Sequence, residues 1–102
     1  MGTAQPITGN ESRTELQQKI DSGDTFTINA GAVTRFVSRY LDEQLTAADL
    51  EQIGELLEGA EFFEYVGPGS DGIIAQVVFE MSKAHVGPIT TEAAQRWLRL
   101  LD

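Results

Sequence analysis

The sequence predicts an all-α fold, a compact bundle of about four to five helices with a short extended segment near residues 25–28. Apolar residues recur at i, i+3, i+4 and i+7 along much of the chain, which is the spacing of helices that bury one face. Ser, Thr or Asn stands before several of these stretches, where a side-chain oxygen can accept from the free amides of a first turn. The chain has no cysteine, so disulfides and thiolate metal sites are excluded and packing must hold the bundle together.

The first helix is predicted over residues 13–21, after an N-terminal tail of residues 1–10. The tail shows no hydrophobic periodicity and is expected to be flexible. Ser12 and Glu15 have the spacing of a capping box at the start of the helix. Residues 25–28 then alternate between polar and apolar side chains, which is typical of a short edge strand or another extended segment.

Two longer helices are predicted over residues 30–43 and 47–58. Asn29 can cap the first of them, which carries the clearest core-facing stripe of the chain, Val33, Phe36, Val37, Tyr40 and Leu41. Thr46 and Asp49 form a pair that resembles a capping box at the start of the second, with Asp in place of Glu.

The apolar run over residues 73–81 fits two periods. A helix would place Ile74, Val77, Val78 and Met81 on one stripe, whereas a strand would suit the alternation of the run and its β-branched residues. Because the run is long for a strand and ends before a Gly-Pro pair, we favour a buried helix over 71–85. A last helix, capped by Thr90 or Thr91, is predicted to end at Leu101. The alternative is an α+β fold with strands near residues 25–28, 61–66 and 73–80.

The net charge of −9 is concentrated in one part of the chain. Between Arg39 and Lys83 there are ten acidic residues and no basic one. Such a surface repels nucleic acids and anionic membranes and attracts basic partners. The N-terminus has no signal-peptide pattern, and no apolar run approaches the ~20 residues of a membrane span. We therefore expect a cytoplasmic protein with a single helical domain over residues 11–102.

Three patterns that could carry chemistry favour structural roles instead. The loop over residues 67–72 matches G-x-G-x-x-G, but too little chain surrounds it for a dinucleotide-binding sheet, and Asp71 would repel a phosphate. His85 stands where a helix end is expected and lacks a nucleophile motif nearby. The acidic residues do not have the spacing of a calcium loop. We expect no catalytic residue, no cofactor, no metal site and no enzymatic activity.

The candidate partner-binding surface follows the predicted helix over 47–58 and the segment after it. Its three glutamates at i, i+4 and i+7 share the solvent side, where like charges slightly destabilise an isolated helix. The segment after it mixes carboxylates with aromatic rings, as interface hot spots do. The predicted partner-binding residues are Glu51, Glu55, Glu58, Glu61, Phe62, Glu64 and Tyr65.

One resemblance is carried by the helix layout over residues 29–43, 46–59 and 71–101, including the stretch FEMSKAHVGPIT at 79–90. In this layout and in its charge, the chain resembles small acidic immunity proteins of bacterial toxin systems. The resemblance covers about two thirds of the chain and contains no specific motif, so it assigns no residue a role. It implies a cytoplasmic protein that neutralises a partner toxin, often a basic nuclease, by covering its active site. The leading hypothesis is therefore a non-enzymatic inhibitor of a basic partner.

Two other hypotheses belong to different classes. The first is a homo-oligomeric assembly or regulatory module that packs through residues 73–81. The second is a small enzyme or ligand binder built around His85 and nearby acids.

Overall fold

The computed structural model describes residues 5–59, 63–67, 69, 72–83 and 89–101. These residues form five helices and three short strands in the order β1 (Gln5–Pro6), α1 (Arg13–Ser22), β2 (Phe26–Ile28), α2 (Ala30–Leu41), α3 (Ala47–Gly59), β3 (Phe63–Tyr65), α4 (Ile73–Ser82) and α5 (Thr91–Leu101). The prediction of a mostly helical bundle is confirmed.

The predicted caps begin four of the five helices. Ser12 and Glu15 form the complete capping box of α1, and the Asn29 side chain accepts from the Ala32 amide at the start of α2. The pair at the start of α3 is reciprocal: the Asp49 amide donates to Thr46 Oγ1 at 3.0 Å, and the Thr46 amide donates to Asp49 Oδ2 at 3.1 Å. For α5, the Thr90 hydroxyl oxygen accepts from the Ala93 amide, so Thr90 is its cap.

The run over residues 73–81 forms a helix, as favoured, and a strand over 73–80 is wrong. Helix α4 covers Ile73–Ser82 and its C-cap is Lys83, so it ends three residues before the predicted end. Its buried apolar side chains recur at i, i+3, i+4 and i+7 and complete a stripe against the core, Ile74, Val77, Val78 and Met81. That stripe requires the helical period because a strand would place alternate residues in the core.

The three strands form a parallel sheet in the order β1-β2-β3, which the all-α prediction did not contain. Two of them, Phe26–Ile28 and Phe63–Tyr65, lie where the α+β alternative placed strands. Phe26 and Ile28 are buried, so this face of the sheet packs on the helices. Thr27 points to the other face and is only half-buried.

The described part of the predicted flexible tail, residues 5–10, is held against the domain. Gln5 and Pro6 pair with β2, the Ile7 amide donates to the Thr27 carbonyl at 2.8 Å, and the Ile7 side chain is only 2% exposed. Residues 5–7 dock there because one apolar side chain and an open strand edge are available to them. Residues 1–4 lie outside the described residues.

A buried carboxylate fixes the turn between β1 and α1. Glu11 accepts from the amides of Thr8 and Gly9 at 3.0 and 2.9 Å and from the Thr8 hydroxyl at 3.2 Å. Burial raises the pKa of Glu11, but these hydrogen bonds outweigh it and hold that pKa below its ordinary value of 4.5. Arg39 on α2 closes the turn by donating to the carbonyls of Gly9 and Glu11 at 3.0 and 2.9 Å.

Helices α3 and α4 lie unusually close because a glycine stands at their contact. A Cβ on Gly54 would lie 2.8 Å from Met81 Cβ and 2.9 Å from the Ser82 amide nitrogen. The core around this contact includes Leu50, Ile53 and Leu57 of α3. The close approach places the outer side of α3 directly beside that of α4.

Candidate functional site

The three predicted glutamates of α3 lie on its outer side, away from the core residues of the same helix. Glu55 and Glu58 are exposed and Glu51 is half-buried. This placement follows from the helical period, since residues at i, i+4 and i+7 cluster on one side. The helix therefore presents a row of carboxylates.

The side of α3 that faces α1 is partly neutralised. Arg13 of α1 donates to Gln52 Oε1. The pKa of Asp49 lies below its ordinary value because of hydrogen bonds from Thr46, with a smaller contribution from the positive charge of Arg13. An open groove of about 530 Å³ runs between the two helices, lined by Arg13, Thr14, Gln17, Gln18, Gln52, Glu55 and Leu56. Its lining is mostly amide and hydroxyl groups rather than carboxylates.

The side of α3 that faces α4 holds one carboxylate in a defined position. The Ser82 hydroxyl donates to Glu58 Oε2, and Ser82 itself is only 4% exposed. The same hydroxyl oxygen lies 2.7 Å from the Phe79 carbonyl oxygen one turn earlier in α4. Ser82 thus connects the exposed carboxylate of Glu58 to the turn of α4 that carries Phe79.

The two described site residues of β3 point in opposite directions. Tyr65 pairs in register with the buried Ile28, and Glu64 pairs with Thr27 on the open face of the sheet. Burial, and to a smaller degree the negative charge of Glu58, raises the pKa of Tyr65 above its ordinary value of 10. The structure therefore brings Tyr65 near Glu58 but places the exposed Glu64 on a different surface.

The remaining predicted site residues, Glu61 and Phe62, lie outside the described residues. The separation of Glu64 from Tyr65 has a simple cause. The prediction placed Glu64 and Tyr65 on one binding surface, whereas consecutive residues of a strand alternate between its faces.

Sequence reasoning missed Phe79, which is 49% exposed and is the most exposed of the large apolar side chains that the structure describes. The Lys83 Nζ atom lies 5.1 Å from the centre of its ring, within the range of a cation–π contact. The helical period of 73–82 was the available signal, because Phe79 lies outside the buried stripe of α4. The prediction of a buried helix over 71–85 included no exposed aromatic side chain.

The opposite side of α4 is engaged by α5. Glu80 Oε1 accepts from Arg96 Nη2 at 2.8 Å and from Trp97 Nε1 at 3.2 Å. The exposed Phe79 lies one turn before Ser82, the residue of α4 that donates to Glu58 of α3. By contrast, the side chains of Glu55 and Glu64 make no hydrogen bond or ion pair with another residue that the structure describes.

The described residues hold neither a metal-ligand cluster nor a membrane-spanning helix. Within them, no group of three or more His, Asp or Glu side chains is arranged to hold a metal ion, and no helix is long and apolar enough to cross a membrane. His85 lies outside the described residues, as do three positions of the 67–72 loop. The hypothesis of a small enzyme or ligand binder around His85 therefore stays a prediction.

No family model, curated protein or solved structure matches this chain. The function must therefore be inferred from the chemistry of the described surface, which combines the carboxylates of α3 with the exposed aromatic ring of α4.

Proposed function

We propose that this protein is a non-enzymatic binding protein that holds a basic protein partner on the outer side of α3, and that it acts as an immunity protein against a toxin. One observation carries the proposal: Glu55 and Glu58 are exposed on α3, and Phe79 is half-exposed on the neighbouring helix α4. No lysine or arginine occurs between Arg39 and Lys83, so α3 carries no basic residue of its own. The resemblance to immunity proteins supports the choice of a toxin as the partner.

The arrangement fits two separate steps of binding. Exposed like charges attract an oppositely charged partner over about one Debye length, so they raise the association rate and make it fall with salt. An aromatic side chain that becomes buried in the complex slows dissociation instead. The carboxylates of α3 suit the first step and Phe79 suits the second.

The test begins with capture of partners by the immobilised protein at low salt, from an extract of the cells that make it. The captured protein is identified and its association rate is measured by stopped-flow at several salt concentrations. Charge reversal of Glu51, Glu55 and Glu58 to Lys should slow association and flatten its salt dependence. Far-UV circular dichroism confirms that the variant is folded.

A matched control reverses three exposed acids outside α3, Asp21, Asp24 and Glu92, and so changes the net charge equally. It should slow association much less than the α3 variant. The proposal fails if the partner is not basic, or if the two triple variants behave alike.

A second candidate function, self-association through residues 73–81, is favoured by the exposure of Ile73 and Phe79 at the two ends of this run. Four of the nine residues of the run, Ile74, Val77, Val78 and Met81, are already buried in the core of their own chain, so only the outer side of α4 could form the contact. Sedimentation velocity over a wide range of protein concentrations separates the two functions, and a strict monomer excludes self-association.

A further inference from the structure

Phe79 occupies a defined place beside the α3 carboxylates. Residues three and four apart on a helix are neighbours on one side, so Phe79 lies next to Ser82 and Lys83 on α4. Ser82 donates to Glu58 of α3, and Gly54, one turn before Glu58, contacts the same end of α4. Phe79 therefore stands on the outer border of the α3–α4 contact, on the side of Glu58.

The ring of Phe79 already accepts a cation within its own chain. Lys83 places its ammonium group 5.1 Å from the ring centre, and Lys83 is the first base after Arg39 in the sequence. The ring remains 49% exposed with this lysine in place. A second cation can therefore approach the ring from solvent, at the part of α4 where Ser82 holds the carboxylate of Glu58.

We propose that Phe79 and Glu58 form the docking point for an arginine side chain of the partner protein, with the guanidinium group stacked on the ring and paired with the carboxylate. This inference rests on the proposed function and specifies its site. Arginine suits the pair better than lysine because its planar group both stacks on aromatic rings and pairs with carboxylates.

The negative charge of this surface determines which kind of partner can bind there. A nucleic acid or an anionic membrane would be repelled by Glu55 and Glu58. A second copy of the chain meeting this surface symmetrically would bring the two sets of carboxylates together, since symmetric contacts pair each surface with itself. A protein segment that carries arginine can stack on the ring of Phe79 and pair with the carboxylate of Glu58.

The experiment uses two probes of equal charge, fluorescent octa-arginine and octa-lysine peptides, at low ionic strength. Fluorescence anisotropy gives the dissociation constant of each. The native protein should bind the arginine peptide roughly two- to fivefold more tightly than the lysine peptide, which is the size of an exposed cation–π contact. Phe79→Ala should abolish this preference, and Phe79→Leu should abolish it while keeping an apolar side chain of similar bulk.

Ile73→Ala is the matched control, because Ile73 is on the same helix and is 39% exposed but lies at the other end of the run. It should leave the preference intact. A second pair of variants tests the role of the internal lysine. Lys83→Gln should strengthen binding of the arginine peptide more than Lys19→Gln, which removes the same charge from a cation–π contact of equal distance with Phe26.

The outcomes separate this inference from the proposed function. If both peptides bind equally to the native protein, or if Phe79→Ala keeps the preference, arginine docking is overturned while the acidic binding surface stands. If neither peptide binds at low salt, both are overturned. A concentration-dependent dimer that Phe79→Ala abolishes would assign the ring to self-association and would also overturn arginine docking.

Discussion

Gly54 of α3 and Met81 of α4 are in such close contact that no side chain fits between them: a Cβ on Gly54 would lie 2.8 Å from Met81 Cβ. The same approach brings the Ser82 hydroxyl to Glu58. The candidate site therefore depends on a glycine that carries no chemistry of its own. At a wider separation of the two helices, Ser82 could not donate to Glu58.

Substitution Gly54→Ala should lower the free energy of unfolding by about 1–3 kcal/mol, because the added methyl group forces the two helices apart. Gly59→Ala in the same helix is the control, since a Cβ there meets nothing within 4 Å. That variant should keep or slightly raise stability, as alanine favours helices. Urea unfolding measures both, and equal effects would contradict the close contact.

The Ser82–Glu58 hydrogen bond should be measurable as a coupling between the two side chains. Ser82→Ala and Glu58→Ala, combined in a double-mutant cycle, should show a coupling free energy of about 1 kcal/mol, since Glu58 is exposed and water competes for it. Glu55→Ala replaces Glu58→Ala in the control cycle and should give no coupling with Ser82→Ala. A coupling of zero in the first cycle would remove the link between α3 and α4.

Acid should destabilise the protein through Glu11. Its pKa in the folded state is lowered by its hydrogen bonds, so the ionised form stabilises the fold above the unfolded pKa, near 4.5. That contribution is lost as the pH falls through the folded pKa. Denaturation at a series of pH values should show a weaker loss of stability below about pH 4.5 in Glu11→Gln than in the native protein.

The exposed Glu92 provides the comparison for this measurement. Glu92→Gln should leave the acid dependence close to that of the native protein. If the two variants respond to acid alike, Glu11 is not the group that titrates with unfolding.

Arg39 should hold the first turn of the chain in place. Its guanidinium donates to the carbonyls of Gly9 and Glu11, and Arg39→Ala leaves both without this donor, at a cost of about 1–2 kcal/mol in the free energy of unfolding. Hydrogen exchange at residues 7–11 should accelerate. The exposed Arg99 is the control, and Arg99→Ala should leave exchange in this turn unchanged.

Helix positions were predictable because their determinants are local. The capping pairs Ser12–Glu15 and Thr46–Asp49 begin α1 and α3 as expected, since a cap acts within about one turn. Strand β1 was not predictable, because Gln5 and Pro6 have no strand pattern of their own. They are extended only because β2, about twenty residues later in the chain, offers them an open edge.

The sequence by itself determined the helical bundle, the caps and the row of carboxylates on α3, because hydrophobic period and capping act over a few neighbouring residues. Only the tertiary structure decided which side chains share a surface. It separated Glu64 from Tyr65 across the sheet and joined Glu58, through Ser82, to the turn of α4 that carries Phe79. The physical reason is that strand pairing and the close helix contact at Gly54 join residues distant in the chain, and no local pattern records such contacts.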